Sequence, residues 1–172
     1  MMKKYELTGE AKSCEGRILR RIRALIDIPK HGVKAGDLGG WIETENNLSE
    51  AGNAWVYGDA WVFDNAKVCG NAQVFGNAWV CGAARVFCDA QVCGNAWVTS
   101  PLQIQGTRWF CNMAGKTQWR MGCCVYELKE WVERFDEITA ENAQEDIKDE
   151  YWRYVKLACE MYAPELLEGI KE

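Results

Sequence analysis

Long apolar runs are absent from the sequence. No stretch approaches the ~18 uncharged apolar residues that a membrane-spanning helix needs, so we expect no membrane segment. The first residues, MMKKYELTGE, also lack the apolar core of a secretory signal peptide. We therefore expect a cytoplasmic protein.

The motifs of common enzymes and metal sites are missing as well. The sequence has no Walker-type loop, no GxGxxG after a strand and no GxSxG elbow. Its nine cysteines form no CxxC motif, and the adjacent Cys123 and Cys124 would point in divergent directions on an extended chain. Disulfide scaffolds belong to short secreted chains, and an odd number of cysteines leaves one unpaired. We therefore expect reduced thiols, no metal and no cofactor.

Charge is plentiful but unevenly distributed. The formal net charge is -5, yet residues 1–34 carry nine Lys/Arg against four Asp/Glu, whereas residues 127–172 carry six against fourteen. The basic end leaves phosphate binding open beside a structural role. The clustered carboxylates of the acidic end form either an acidic surface or a solvated helix face; the candidates are Glu141, Glu145 and Asp149, with Asp146 and Glu150 beside them.

A six-residue repeat occupies the middle of the chain. From Ala51 to Val98 the sequence divides into eight consecutive hexads: AGNAWV, YGDAWV, FDNAKV, CGNAQV, FGNAWV, CGAARV, FCDAQV and CGNAWV. The alanine and valine of each hexad are two residues apart, so both point to one side of an extended chain, which we expect to be the interior. Gly followed by Asn or Asp recurs after most valines, and both tolerate the left-handed backbone of a tight corner. Each hexad therefore predicts one short strand and one corner.

The repeat predicts a β-helix. A period of six does not fit the α-helical turn of about 3.6 residues, and a glycine every six residues would destabilise a helix. Three corners close a triangular coil of eighteen residues, and stacked coils pair as parallel strands about 4.8 Å apart. We expect about four coils over residues 37–111, with a two-residue surplus before Val56. The same six-residue spacing of apolar residues extends beyond the hexads in both directions, to Ile42 and Leu48 and to Ile104 and Phe110.

These residues resemble a known group of proteins. The hexads are similar to those of left-handed β-helix proteins of the hexapeptide-repeat class. The lead-in IRALIDI, followed by VKAGDLGGWIETENNLSEAGNAWV, resembles the YdcK-like group of transferase-related and prophage proteins. The segment MGCCVYELKEWVERF resembles the start of a short helical tail in phage members of that group. The resemblance implies a left-handed coil and a phage or prophage origin, hence the cytoplasm of a host cell.

The N-terminal end predicts a β cap over residues 1–36. Ile22, Ala24, Ile26 and Ile28 alternate with mostly charged residues, as in a half-buried strand, and KKYEL is a second strand candidate. A stack of repeats exposes its last apolar layer unless something covers it. We therefore expect an N-terminal hairpin that covers the first coil.

The C-terminal end changes period. Residues 112–125 are expected to be a connector, and residues 126–172 predict a tail of two to three helices. These helices either cap the last coil, fold along one face of the prism, or bind a neighbouring subunit. Their apolar positions are Leu128, Trp131, Val132 and Phe135 in the first, and Ile147, Tyr151, Tyr154, Val155 and Ala158 in the second, which ends before Pro164.

Outward residues eighteen apart fall into columns. One column contains Trp61, Trp79 and Trp97, joined by Trp41 if the two-residue surplus forms a loop, with Phe63 beside it. Such an apolar strip is too large for the solvated surface of a monomer. We expect it to be covered by a helix of its own chain or within a homotrimer, or to bind a host protein or small ligand.

The other two columns carry less apolar surface. The second contains Trp55, Gln73, Gln91 and Trp109, and we expect Cys93 and Cys111 to be stacked neighbours beside it. The third contains Lys67, Arg85 and Gln103, and its basic pair is a secondary candidate surface. Because the coils have few outward carboxylates, DNA mimicry and direct nucleic-acid binding are not expected.

His31 is the only histidine. Hexapeptide-repeat acyltransferases, as the resemblance implies, use a histidine from the coils or their loops as general base. Residues 37–111 contain none, and His31 lies before them in PKHGVKAGD, which predicts a loop. It can act as a base only if that loop folds back, because a base must come within hydrogen-bond reach of its proton.

Taken together, these patterns favour a non-enzymatic, oligomeric and phage-borne binding protein that occupies a surface or sequesters a ligand. An inhibitor of a host defence system, such as an anti-CRISPR protein, is the more specific form of this hypothesis. The alternatives are an acyltransferase that uses an acyl-coenzyme A donor and His31, and a purely structural assembly element.

Overall fold

An antiparallel hairpin opens the chain. The computed structural model describes residues 3–94, 96–140 and 145–168, in two units divided after Pro101. In the first unit, β1 (Tyr5–Cys14) pairs with β2 (Arg17–Ala24). β2 pairs in turn with β3 (Leu38–Ile42), the first strand of the coiled region, so the hairpin lies where the sequence places a cap.

The hexads form a β-solenoid of about three turns. Eight short strands follow β3: β4 (Trp55–Val56), β5 (Trp61–Val62), β6 (Lys67–Val68), β7 (Gln73–Phe75), β8 (Trp79–Val80), β9 (Arg85–Val86), β10 (Gln91–Cys93) and β11 (Ala96–Trp97). They stack as three parallel ladders, β3-β5-β8-β11, β4-β7-β10 and β6-β9. Valines 56 to 92 and alanines 54 to 90 of the repeat lie inside and are at most 1% exposed. The inward alanine and valine positions are therefore confirmed.

The two-residue surplus forms a loop, as the register of Trp41 requires. Trp41 pairs with Trp61 and Leu48 with Val68, each twenty residues further along the chain, whereas Trp55 pairs with Gln73, eighteen further along. The two extra residues therefore lie between Leu48 and Trp55. Asn47 is buried in the 3-10 turn Glu45–Asn47 that precedes this loop, and its side-chain amide donates to the carbonyl oxygens of Asp64 (3.0 Å) and Ala66 (2.9 Å). Trp41 thus belongs to the tryptophan column.

The parallel stack ends earlier than expected, at a one-residue slip in β11. Ala96 pairs with Trp79, and Trp97 pairs with Val80. Because side chains alternate along a strand, the slip turns Trp97 inward, where it is 7% exposed, and leaves Val98 59% exposed. The next segment has no Gly-Asn corner, and Pro101 has no amide to donate to a further rung. The expected extension of the β-helix to residue 111 is wrong.

A four-stranded antiparallel sheet stands where the sequence predicted the last coil and a connector. Its strands are β12 (Gln103–Gln105), β13 (Phe110–Met113), β14 (Gln118–Met121) and β15 (Cys124–Glu127), in that order. Ile104 and Cys111 are direct partners across β12 and β13. Ile104 and Phe110 therefore keep their six-residue spacing as neighbours in a hairpin, and Cys111 pairs with Ile104 rather than stacking beside Cys93.

Two helices complete the second unit, α1 (Leu128–Thr139) and α2 (Glu145–Tyr162). Six of the nine expected apolar positions are buried, and Val132, Ile147 and Tyr154 are partly exposed. The buried ones are Leu128, Trp131 and Phe135 in α1, and Tyr151, Val155 and Ala158 in α2. The Trp131 Nε1–H donates to the carbonyl oxygen of Trp119 in β14 (2.7 Å), and the backbone N–H of Arg108 donates to the hydroxyl of Tyr151 (2.8 Å). These apolar faces pack within the second unit.

Helix length and composition also bear on the membrane. Within residues 3–94, 96–140 and 145–168, no helix combines the length and apolarity needed to cross a bilayer.

The corners supply a test of the solenoid. Gly70 has φ +69°, and a Cβ added there would lie 2.9 Å from the backbone nitrogen of Cys88 on the next rung. Gly58 has φ +51°, but its added Cβ meets no described atom within 4 Å. We expect Gly58→Ala to lower the free energy of unfolding by about 1 kcal/mol through backbone strain alone. Gly70→Ala should lower the free energy of unfolding clearly more, as measured by urea unfolding. Equal decreases in the two variants would contradict the close approach of the next rung to Gly70.

A buried lysine makes the cap sensitive to pH. Lys4 is 1% exposed, and its Nζ donates to the carbonyl oxygens of Ser49 and Ala54 (2.9 Å to the latter). Burial lowers the pKa of Lys4 to about 8, from an ordinary 10.5, and Glu50 opposes this only in part. The unfolded chain therefore binds more protons between these two values, so Lys4 makes folding more favourable as the pH rises through that window.

We expect the stability of the wild type relative to Lys4→Met to increase from pH 8 to 10. Urea unfolding of both proteins at several pH values measures the difference, which cancels the titration of groups they share. A difference that stays constant over this range would show that Lys4 is not desolvated as described.

Candidate aromatic binding site

Three tryptophans form a column on the outer face of the first ladder. Trp41, Trp61 and Trp79 lie on β3, β5 and β8 and pair in register. The rings of Trp61 and Trp79 are parallel within 4°, with centroids 4.9 Å apart, close to the ~4.8 Å spacing of neighbouring strands. The backbone ladder thus places one ring over the next. We call these three rings the tryptophan column.

The N-terminal hairpin covers one end of this column. Cys14 and Leu19 from the hairpin form a buried cluster with Trp41 and Phe63, against which Trp61 packs. Neither a helix nor a second subunit is needed to bury Trp41, which is 5% exposed. The sequence analysis missed this cover, although a cap at the first coil already implied that a hairpin lies near Trp41.

Cations of the hairpin lie against the rings at the covered end. The Nζ of Lys12 is 4.3 Å from the centroid of Trp41 and 5.8 Å from that of Trp61. The guanidinium carbon of Arg21 is 5.6 Å from Trp41, and that of Arg17 is 5.7 Å from Phe63. Cations near aromatic faces contribute about 0.5–1 kcal/mol each at partly exposed positions.

Each of these cations also has a carboxylate partner. Lys12 pairs with Asp59 at 3.1 Å, and Arg21 pairs with Glu10 at 3.3 Å. Arg17 pairs with Asp64, whose carboxylate also accepts the backbone N–H of Gly82 at 3.2 Å. The covered end is therefore closed by rings, cations and carboxylates from one chain.

The other end of the column is open. Trp79 is 37% exposed, and the residue paired with it on the next strand is Ala96, which is also exposed. Without the slip in β11, Trp97 would occupy that rung and stack on Trp79. The slip instead places a methyl group where the column would continue. The predicted outward position of Trp97 is wrong, and its absence from the column is what exposes the last ring.

The secondary candidate surfaces are placed as follows. Lys67 and Arg85 are exposed and pair in register on β6 and β9. Asp149 is exposed on α2, whereas Glu141 and the side chain of Glu145 lie outside the described residues.

Glu150 and Trp55, which the sequence analysis also placed on the surface, have structural roles. Glu150, beside Asp149, accepts the backbone N–H of Thr107 (2.8 Å) and the hydroxyl of Tyr154 (2.7 Å), and these bonds lower the pKa of its carboxyl. Trp55 is 1% exposed, edge-on to Tyr5 of the hairpin, so the second column carries no exposed tryptophan at its first rung.

His31 does fold back onto the coils. Its Nε2 lies 3.0 Å from the carbonyl oxygen of Asn71, at a corner where the side chains of Asn53, Asn71 and Asp89 form a hydrogen-bonded ladder (2.8 and 3.1 Å). Burial lowers the pKa of His31, so its ring is neutral at pH 7 and Nε2 donates to Asn71. This arrangement fastens the loop to the corner and commits one ring nitrogen.

Neither a cluster of metal ligands nor a comparison with known proteins points to a function. Among the described residues, no three side chains of His, Cys, Asp or Glu come together as a metal ion would require. The chain matches no protein-family model and no curated protein. The geometry of the tryptophan column is therefore the best guide to the function of the chain.

The stacked pair has a spectroscopic signature. We expect Trp79→Ala to remove the exciton couplet of the Trp61–Trp79 pair from the circular dichroism spectrum and to cost less stability than Trp41→Ala, which should lose about 3–5 kcal/mol. Trp152→Phe, which removes an indole outside the column, is the control and should keep the couplet. If the couplet survives Trp79→Ala, the stack is not as described.

Proposed function

We propose that the chain is a non-enzymatic binding protein that receives an aromatic side chain of a partner protein on the open face of Trp79. One observation carries the proposal: Ala96 occupies the rung above Trp79, so the stack of parallel rings ends with one face uncovered. A ring from a partner would continue the column at its own spacing. Tryptophan and tyrosine are enriched among the residues that dominate binding energies.

The shape of the open face favours an aromatic occupant. The Trp61–Trp79 pair is parallel, so the next group along the column lies flat against Trp79. Aromatic pairs contribute about 0.5–1.5 kcal/mol beyond the burial of their area.

The exposed part of the column is small for a homotrimer contact. The hairpin buries Trp41 and the slip turns Trp97 inward, so Trp79 and part of Trp61 remain of the four-ring strip. Stable interfaces bury about 800 Å² on each partner. A single ring serves better as an anchor within a larger interface with a different protein. If this face instead joined copies of the chain, light scattering would show a homo-oligomer.

The resemblance to other proteins supports finer proposals. Similarity to hexapeptide-repeat proteins supports a left-handed solenoid of triangular section. Similarity to prophage proteins supports a component of a host defence system as the partner, and the cytoplasm of an infected cell as the place of action.

Acyl transfer is the rival function, and His31 is its test. We expect no binding of acetyl-coenzyme A in isothermal titration, because His31, the only histidine, fastens its loop to the corner at Asn71. Submillimolar binding that disappears in His31→Ala would overturn the proposal of a non-enzymatic protein.

Two substitutions block the proposed site in opposite ways. Trp79→Ala removes the platform, whereas Ala96→Trp fills the rung above it with a ring of the chain's own. We expect both to abolish partner binding, while Ala96→Trp keeps or raises the melting temperature and Trp79→Ala lowers it. The measurement is quantitative capture from host lysate on immobilised wild type and variants, followed by titration of the captured protein.

Phe87→Ala is the matched control, since Phe87 is 38% exposed and lies outside the column. A partner lost from both Trp79→Ala and Ala96→Trp but kept by Phe87→Ala supports the proposal. A partner retained by Ala96→Trp shows that the open face of Trp79 is not its binding site. A free nucleobase that shifts the Trp79 indole resonance more strongly than N-acetyl-tryptophanamide would also contradict an aromatic protein side chain as the occupant.

A further inference from the structure

Two adjacent cysteines lie in a tight turn of the second unit. Met121 and Cys124 are the last pair of the β14–β15 hairpin, so Gly122 and Cys123 form a two-residue loop. Gly122 has φ +59°, and Cys123 has a negative φ, as in type II′ turns. The expectation that Cys123 and Cys124 point apart assumed an extended chain, whereas Cys123 lies at the reversal of a hairpin.

Both thiols line one cavity. Its volume is about 60 Å³, and its apolar walls include Trp109, Met121, Trp131 and Ile138. A single water needs about 10–15 Å³ of such space, so the cavity admits a molecule of a few heavy atoms and excludes a bulky one.

The two thiols differ in access. Cys123 is exposed to solvent, whereas Cys124 is partly buried, and burial raises the pKa of the Cys124 thiol. Cys123 is therefore the thiol that solvent reagents reach, with Cys124 held beside it. An accessible thiol next to a second one is the arrangement of redox-sensitive cysteines.

We propose that Cys123 and Cys124 are a modification site that reacts with a small hydroperoxide and closes to a vicinal disulfide. The proposal is independent of the site at Trp79. Cys123 is open to solvent, so hydrogen peroxide or a short alkyl hydroperoxide reaches it directly, and the neighbouring thiol makes the product a disulfide rather than a higher oxide.

The reaction has two balanced steps. The Cys123 thiolate attacks the terminal oxygen of the hydroperoxide; the O–O bond breaks, and the leaving hydroxide or alkoxide takes up a proton as water or alcohol. Cys123 is then a sulfenic acid. The Cys124 sulfur attacks the sulfur of Cys123, an S–S bond forms, and the hydroxyl leaves as water with the Cys124 proton. Two thiols are oxidised, and one peroxide is reduced.

The product is readily reversible for a geometric reason. Consecutive Cα atoms across a trans peptide are about 3.8 Å apart, whereas disulfides join Cα atoms about 4.4–6.8 Å apart. A vicinal disulfide is therefore strained, and strained disulfides are more easily reduced than relaxed ones. We expect a thiol reductant to restore both cysteines.

The test is peroxide titration of the full-length reduced chain, followed by alkylation and peptide mass spectrometry. We expect the peptide containing Cys123 and Cys124 to lose both alkylation sites and two hydrogens together, at a peroxide dose that leaves Cys88 alkylatable. Cys88 is the matched control because it is exposed and has no adjacent cysteine. Dithiothreitol should return both sites.

Two variants make the outcome decisive. Cys124→Ser should leave Cys123 as a sulfenic acid that dimedone traps, and Cys123→Ser should leave Cys124 largely unreacted at the same dose. Oxidation of Cys88 at or below the dose that oxidises Cys123, or a wild-type product linked between chains, would overturn the proposal.

Discussion

In-register pairing of residues eighteen apart is the constraint on which the first unit depends. Each rung hydrogen bonds to the next through the backbone, so a side chain in one hexad lies directly over its equivalent three hexads later. Inside, this builds continuous rows of alanine and valine. Outside, the same pairing by itself places Trp61 on Trp79 and Asn53 on Asn71. The aromatic column is a consequence of a backbone ladder.

The same constraint explains why the ends matter. A ladder has no internal reason to stop, and each terminus exposes polar backbone and an apolar layer. At the first end the β1–β2 hairpin continues the ladder antiparallel, and Lys4 satisfies two carbonyl oxygens beneath it. At the last end a one-residue slip turns Trp97 into the interior. The open face of Trp79 is a by-product of how the solenoid ends.

The sequence predicted the parts that periodicity controls. The inward valines, the corners and the register of Trp41 across its surplus loop all follow from a repeat of six. The slip at Trp97 could not be read in this way, because the hexads that contain Trp79 and Trp97 share the letters GNAWV. Identical local sequences take different registers when one has a further rung to pair with and the other does not. The antiparallel sheet was missed for a related reason. Ile104 and Phe110 keep the six-residue spacing of the repeat, but their segment lacks its Gly-Asn corners.

Three of the four predicted members of the tryptophan column, Trp41, Trp61 and Trp79, follow from the spacing of the repeat, whereas the limits of the column do not. The loss of Trp97 depends on a change of register, and the cover over Trp41 depends on where a hairpin lies in space. The paired thiols were missed because a turn brings together two side chains that an extended strand would separate. In each case the missing information is long-range or conformational, which composition and spacing do not encode.

The tryptophan column ends at Trp79, with one face open and with Trp97 inside. Hydroxyl-radical footprinting of the wild-type chain tests it directly, since oxidation rates of individual tryptophans report their exposure. We expect Trp79 to be oxidised several times faster than Trp41 and Trp97, with Val98 reactive. Equal rates at Trp79 and Trp97, or a protected Val98, would show that the ladder continues without a slip and would contradict the account.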